Sequence, residues 1–123
     1  ARVKVNINKV IFGGPMMGIA QGNIESAVTI KGTGGILVLT DAQKWESHAC
    51  IRCGRCIDSC PYGLNPSELS ILCEAKEFNL ALDNNVMECK ECGCCSYICP
   101  AKRPIVHLIK FAKADIAKRK AKA

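Results

Sequence analysis

Residues 50–61 and 89–100 carry one pattern twice: CIRCGRCIDSCP and CKECGCCSYICP. Cys50, Cys53, Cys56, Cys60 and Pro61 recur 39 positions later as Cys89, Cys92, Cys95, Cys99 and Pro100, and Gly54 recurs as Gly93. Each run is C-x2-C-x2-C-x3-C-P. Three thiolates two residues apart wrap a compact turn around one face of an iron–sulfur cubane and bond three of its irons. The fourth cysteine, three residues on, starts the next helical turn and points away to the other cluster. The glycine lets the backbone come close to inorganic sulfide, and the proline ends the loop. The spacing therefore predicts one [4Fe–4S] cluster on Cys50, Cys53, Cys56 and Cys99, and a second on Cys89, Cys92, Cys95 and Cys60. The fifth cysteine of the second run, Cys94, falls opposite Arg55, which is no ligand position. It reads as a small packing residue.

Other uses of so many thiols fit less well. Ten cysteines in 123 residues restrict the class to disulfide scaffold or metalloprotein. The N-terminus ARVKVNINKVIF alternates and lacks the continuous apolar stretch of a secretory signal, so no route to an oxidising compartment is visible. A pair of structural zinc sites would use each C-x2-C, but it leaves the third cysteine of each run without a role. The chain starts at Ala1 without an initiator Met, which reads as a processed chain or a piece of a longer one. No apolar stretch approaches the length of about 18 residues needed to span a membrane.

Two regions follow one another. In residues 1–40, Val3, Val5 and Ile7 alternate with Lys4, Asn6 and Asn8, a strand pattern that continues through Val10–Phe12 after a slip in phase. GGPMMG (13–18) breaks it as a turn, another strand is expected around Ala27–Ile30, and KGTGG turns the chain into the strand ILVLT. So few short strands make a weak independent sheet, and the region reads as the end of a larger β-rich domain. In residues 41–123 the pattern becomes helical. A short helix is expected through DAQKWESH, capped by Thr40 or Asp41. A second starts at Asn65-Pro66-Ser67-Glu68, with an Asx cap, Pro at N1 and an acid at N3, and runs to about Leu82. Pro104 starts the last helix, with Ile105, Leu108, Ile109, Ala112 and Ile116 on one face. The fold class is thus α+β: a partial β domain followed by a helical two-cluster ferredoxin-type domain. The 28 residues between Cys60 and Cys89 hold a long helix, unlike the compact halves of a minimal bacterial ferredoxin.

The remaining chemistry-bearing residues get plainer readings. Cys73, on the helix with Leu69 and Leu80 on its side, is a buried core thiol. His48 is an exposed helix-end histidine, and His107 has no role. Trp45 and Tyr97 are expected to cover the clusters and keep water from them. The net charge of +6 is concentrated at one end: residues 101–123 hold eight Lys/Arg against Asp115, so the first hundred residues sum to −1. This basic helix reads as a docking face for an acidic partner, or simply as a solvated face. With Phe111 its only aromatic, it does not read as a nucleic-acid surface.

GGPMMG, KGTGGIL, ACIRCGRCIDSCPYGLNPSEL and ECKECGCCSYICPAKRPIVHLIKFAKADI, in that order, resemble the C subunit of the Rnf electron-transport complex over essentially the whole chain. GGPMMG and SYICPAKRPIV are the discriminating parts, since the cysteine spacing alone is common to many ferredoxins. The resemblance implies a peripheral subunit on the cytoplasmic side of the cell membrane, held there by the other subunits. It implies electron transfer between ferredoxin and NAD coupled to sodium or proton translocation. FMN and NADH would bind an upstream domain that these 123 residues do not contain. The β-rich segment would then be the end of a β-grasp-type domain, and the fragment would carry no substrate site of its own. A related flavin- and cobalamin-linked reductase subunit is the alternative, since it can share the cysteine module and a similar glycine turn.

Overall fold

The computed structural model describes residues 6–15 and 18–122. They divide into two compact units that meet in sequence between Lys44 and Trp45.

The first unit is an antiparallel sheet of three strands, β1 (Lys9–Phe12), β2 (Ile19–Ala20) and β3 (Ile36–Leu39), in the order β2-β1-β3. Phe12 pairs with Ile19 on one side and Ile36 on the other, and Val10, opposite Val38, is the buried residue of this sheet. The Gly18 N–H donates to the Gly14 carbonyl at 2.8 Å, closing the turn expected of GGPMMG. A β-carbon on Gly18 would collide with the Ile11 side chain and the Gly14 carbonyl, so the turn needs glycine there. Val3, Val5, Met16 and Met17 lie outside the described residues.

The strand expected around Ala27–Ile30 does not form. The Ile30 N–H donates to Thr33 Oγ1 at 3.1 Å, and the Thr33 N–H donates back to the Ile30 carbonyl at 2.9 Å. A local turn has taken the groups a ladder would have used. β2, which the alternation did not signal, pairs with β1 instead.

The second unit contains α1 (Arg55–Asp58), α2 (Pro66–Glu74), α3 (Phe78–Asp83), a 3₁₀ turn (Val86–Glu88), α4 (Cys94–Ile98) and α5 (Ile105–Lys122). Leu69, Cys73, Phe78, Ala81 and Val86 pack with Ile105, Ile109, Ala112 and Ile116 in one apolar core. Full burial of each large aliphatic side chain contributes about 1.5–3 kcal/mol. The apolar face read on the last helix is therefore the face that holds the unit together, and Cys73 sits in that core.

Two helices depart from expectation. The stretch Asp41–His48 is irregular. Its His48 N–H donates instead to the Ala101 carbonyl at 2.9 Å, and Trp45 lies under the Lys102 ammonium, 4.7 Å from its ring centroid. Long-range partners have replaced an intrahelical ladder. The helix from Asn65 also stops at Glu74, short of Leu82. Lys76 takes a left-handed φ of 61°, and the Glu77 N–H donates back to the Leu72 carbonyl at 3.0 Å, a Schellman-type close. The break redirects the chain so that Phe78 and Ala81 reach the core, and it leaves Leu80 half exposed rather than beside Leu69 and Cys73.

The start of α2 follows the sequence reading. Asn65 Oδ1 accepts from the Glu68 N–H at 3.3 Å and from Ser67 Oγ at 2.7 Å. Replacing Asn65 with Ala should cost about 1 kcal/mol, measured by anaerobic denaturant unfolding, with Asn65→Ser retaining most of the stability.

The 39-residue repeat extends to the backbone. Arg52 and Glu91 have φ of 53° and 58°, Gly54 and Gly93 have 78° and 88°, and Gly63 and Lys102 have 63° and 52°. Gly54 precedes α1 as Gly93 precedes α4, and the packed pair α2 and α5 start at Pro66 and Ile105, again one repeat apart. Both halves thus fold by the same local rules around the same cysteine positions.

Candidate metal centre

Each cysteine run forms a loop and a short helix, and the two loops face two separate cavities. The first cavity is lined by Cys50, Cys53, Cys56 and Cys99, together with Ser67, Ser70, Arg103 and Ile105. The second is lined by Cys60, Cys89, Cys92 and Cys95, together with Leu64, Leu69, Val106 and Ile109. Their empty volumes are nearly equal, ≈ 360 and ≈ 370 Å³. Each lining takes the first three repeated cysteines of one run and the last cysteine of the other, and the second also includes Cys94, so neither half closes a cavity alone.

Exposure follows the repeat as well. Cys56 and Cys95, at the start of their helices, are buried, whereas Cys53 and Cys92, in the loops before them, are exposed. Each cavity therefore has a sheltered inner side and an exposed loop cysteine, and the second has Cys94 exposed as well. Burial pushes the Cys95 thiol up to about 11, outweighing its hydrogen bonds with Ser96. Burial, with a smaller contribution from Cys89, also raises Cys73. A thiol held neutral in this way becomes a thiolate ligand only when a metal replaces its proton, so loading the site releases protons.

The loop carrying Cys89 is tied down twice. Lys113 Nζ donates to the Cys89 carbonyl at 2.9 Å and to Glu91 Oε1 at 2.7 Å, and the Glu91 N–H donates to Cys89 Sγ at 3.4 Å. On the other side, Arg103 forms an ion pair with Glu74 from α2, and its side chain is only 10% exposed. The Arg103 Nε–H is buried with no hydrogen-bond partner among the described residues. These contacts to Lys113 and Arg103 were not legible from spacing. The signal that finds Arg103 is the repeat, which aligns it with Leu64.

Three smaller expectations are corrected. Tyr97 is 86% exposed and Trp45 is 62% exposed, so neither shields a cavity. Tyr97 sits on the outer side of the single turn that α4 makes, and Trp45 is engaged by Lys102. Cys94 is not a packing residue: it is exposed at the rim of the second cavity, where hydrogen bonding with Cys92 raises its thiol. His48 and His107 are both exposed, but no helix ends at His48.

The donor set fits an iron–sulfur group. Four cysteines line the first cavity and five the second, and cysteine thiolate is the ligand such clusters take. Among the described residues, no three His, Cys, Asp or Glu side chains converge as they would on a single ion.

The family described as "4Fe-4S binding domain" matches residues 44–65, which contain the first cysteine run, so the chain is an iron–sulfur protein. Comparison with curated proteins is more specific. The chain is 47% identical over 110 residues, 87% of its length, to the C subunit of the proton-translocating ferredoxin:NAD(+) oxidoreductase complex of Clostridium ljungdahlii. It is 44% identical over 117 residues, 94% of its length, to the C subunit of the ion-translocating oxidoreductase complex of Rhodobacter capsulatus. It is 44% identical over 116 residues, 93% of its length, to the C subunit of the Na(+)-translocating ferredoxin:NAD(+) oxidoreductase complex of Acetobacterium woodii. Over this stretch the chain belongs to the family of C subunits of ion-translocating oxidoreductase complexes. It covers 24%, 22% and 26% of these relatives, about a quarter of their length.

Proposed function

We propose that this chain is the two-cluster electron-transfer segment of such a C subunit, passing single electrons within an ion-translocating ferredoxin:NAD oxidoreductase complex. Cys50, Cys53, Cys56 and Cys99 hold one [4Fe–4S] cluster, and Cys89, Cys92, Cys95 and Cys60 hold the other. The observation that carries this reading is the lining of the two cavities, each completed by a cysteine from the opposite run. Bound clusters supply one-electron carriers. The protein's part is to supply thiolates, to exclude water on the side of Cys56 and Cys95, and to leave Cys53 and Cys92 near partners. No general acid, base or nucleophile is required.

The partners in this reading are the other subunits of the complex and a ferredoxin-like donor, with the basic face of α5 available for an acidic surface. FMN and NADH belong to a different part of the subunit. The location is the cytoplasmic side of the membrane, reached through partner subunits; among the described residues no helix is long and apolar enough to cross a membrane. The boundary between a partial β domain and the helical domain lies near residues 40–44. Exposed Ile19, Val28, Ile30 and Ile36 around the sheet support its being the end of a larger, β-grasp-type domain.

Anaerobically purified protein should contain about eight irons and eight acid-labile sulfides per chain, with the broad brown absorption of iron–sulfur clusters. About two zincs, no sulfide and no colour would overturn the reading and leave a zinc-stabilised scaffold.

A further inference from the structure

The repeat makes the two cavities comparable position by position, and their walls differ. Arg103, Ser67 and Ser70 at the first cavity correspond to Leu64, Val106 and Ile109 at the second. The serine hydroxyls are already committed: Ser67 Oγ donates to Asn65 Oδ1, and Ser70 Oγ donates to the Ser67 carbonyl. Arg103 is not fully committed. One terminal nitrogen holds Glu74, while the Nε–H stays buried and unpartnered among the described residues. A buried donor left unmade is costly, and a charged one more so, so a polar acceptor is expected where it points. Arg103 lines the first cavity, and a cluster held there by Cys50, Cys53, Cys56 and Cys99 is the acceptor that the proposed function would supply.

The charges around the second cavity do not reproduce this arrangement. Lys90 lines it but is not deeply buried, and solvent and salt screen its charge. Lys110 and Lys113 share Glu91, and Lys113 also holds the Cys89 carbonyl. The Glu91 N–H donates to Cys89 Sγ at 3.4 Å, a neutral backbone contact, whereas Arg52, with the matching φ, makes no such bond to Cys50 among the described residues. The difference that puts a buried cationic donor on one wall and not on the other is Arg103 against Leu64.

We propose that Arg103 is a positioning residue of the first cluster, donating its Nε–H to that cluster and making it the one reduced at the higher potential. The inference rests on the two-cluster reading above. Reduction adds one electron, taken from a one-electron donor such as ferredoxin, and so adds one negative charge to the cluster. A hydrogen-bond donor and a permanent cation on the wall stabilise the reduced form more than the oxidised form. Electrons entering the segment then rest on the Cys50 side, and the Cys89 side, whose wall has Leu64 in place of Arg103, is the harder one to reduce.

The test is redox titration of the intact, anaerobically purified protein, following both clusters by electron paramagnetic resonance, with iron measured on every sample. Wild type should give two resolved one-electron waves. Arg103→Leu should move the higher wave down towards the lower one and leave the lower wave in place. Leu64→Arg should move the lower wave up. Glu74→Gln removes the ion pair but keeps the guanidinium, so it should not lower the higher wave. Unmoved waves in Arg103→Leu at full iron content would overturn the assignment. So would a Glu74→Gln titration that copies Arg103→Leu, because Arg103 would then act only as a tie between helices. Should Arg103→Leu lose its cluster, Leu64→Arg decides: an unmoved lower wave overturns the inference. Wild-type protein lacking iron and sulfide would instead sink the two-cluster reading itself.

Discussion

Replacing Cys99 in the second run should empty the cavity that the first run lines. Cys99→Ala is expected to lower iron from about eight to about four per chain, because a cubane loses one of its four thiolate bonds. Cys60→Ala should do the same to the other cavity. Double replacements reveal the partnership, since two changes at one site do not add whereas changes at separate sites do. Cys50→Ala with Cys99→Ala should still leave about four irons, and Cys50→Ala with Cys60→Ala should leave almost none. If each run kept its own cluster, the two outcomes would exchange. Iron and sulfide content, with the resonance spectrum of the reduced protein, reads the result directly. The physical point at stake is whether the clusters cross-link the halves. With the ligands crossed, losing either cluster removes a covalent tie between residues about one repeat apart.

Ile109→Ala should be among the most damaging single changes in the core. Ile109 is 1% exposed, lies on α5 where it packs on α2, and also forms part of the second cavity's wall. Truncating a buried aliphatic side chain of this size costs about 2–5 kcal/mol. The loss should appear as a lower denaturant midpoint in anaerobic unfolding, together with faster bleaching of the second cluster than of the first. Ile116→Ala provides the comparison. It is equally part of the core but lines neither cavity, so it should lower the midpoint without selectivity between clusters. Equal bleaching of both clusters in Ile109→Ala would show that the wall residue acts only through global stability.

Much of the second unit was legible because its instructions are local. Asn65, Pro66 and Glu68 specify a helix start within four residues, and the face of α5 follows from a 3.6-residue period. Gly54 and Gly93 mark the left-handed positions that open α1 and α4. The same period misread the stretch from Glu74 to Leu82, because Lys76 entered a left-handed conformation to turn Phe78 into the core. A composition that allows helix at 41–48 lost to the pairing of His48 with Ala101, far along the chain. In the sheet, the apolar run at 27–30 met a local turn before it could meet a partner strand.

The sequence by itself determined that the two halves repeat, and it nominated the eight cysteines at repeated positions over Cys73 and Cys94, because spacing along the chain limits what a short loop can wrap. Only the tertiary structure decided what surrounds those cysteines. It put Cys94 and Tyr97 at the surface, buried Arg103 against the first cavity and set Leu64 against the second. Spacing constrains a ligand through a handful of backbone angles, whereas a wall is made where α2 and α5 pack, and its chemistry depends on residues that no local pattern links.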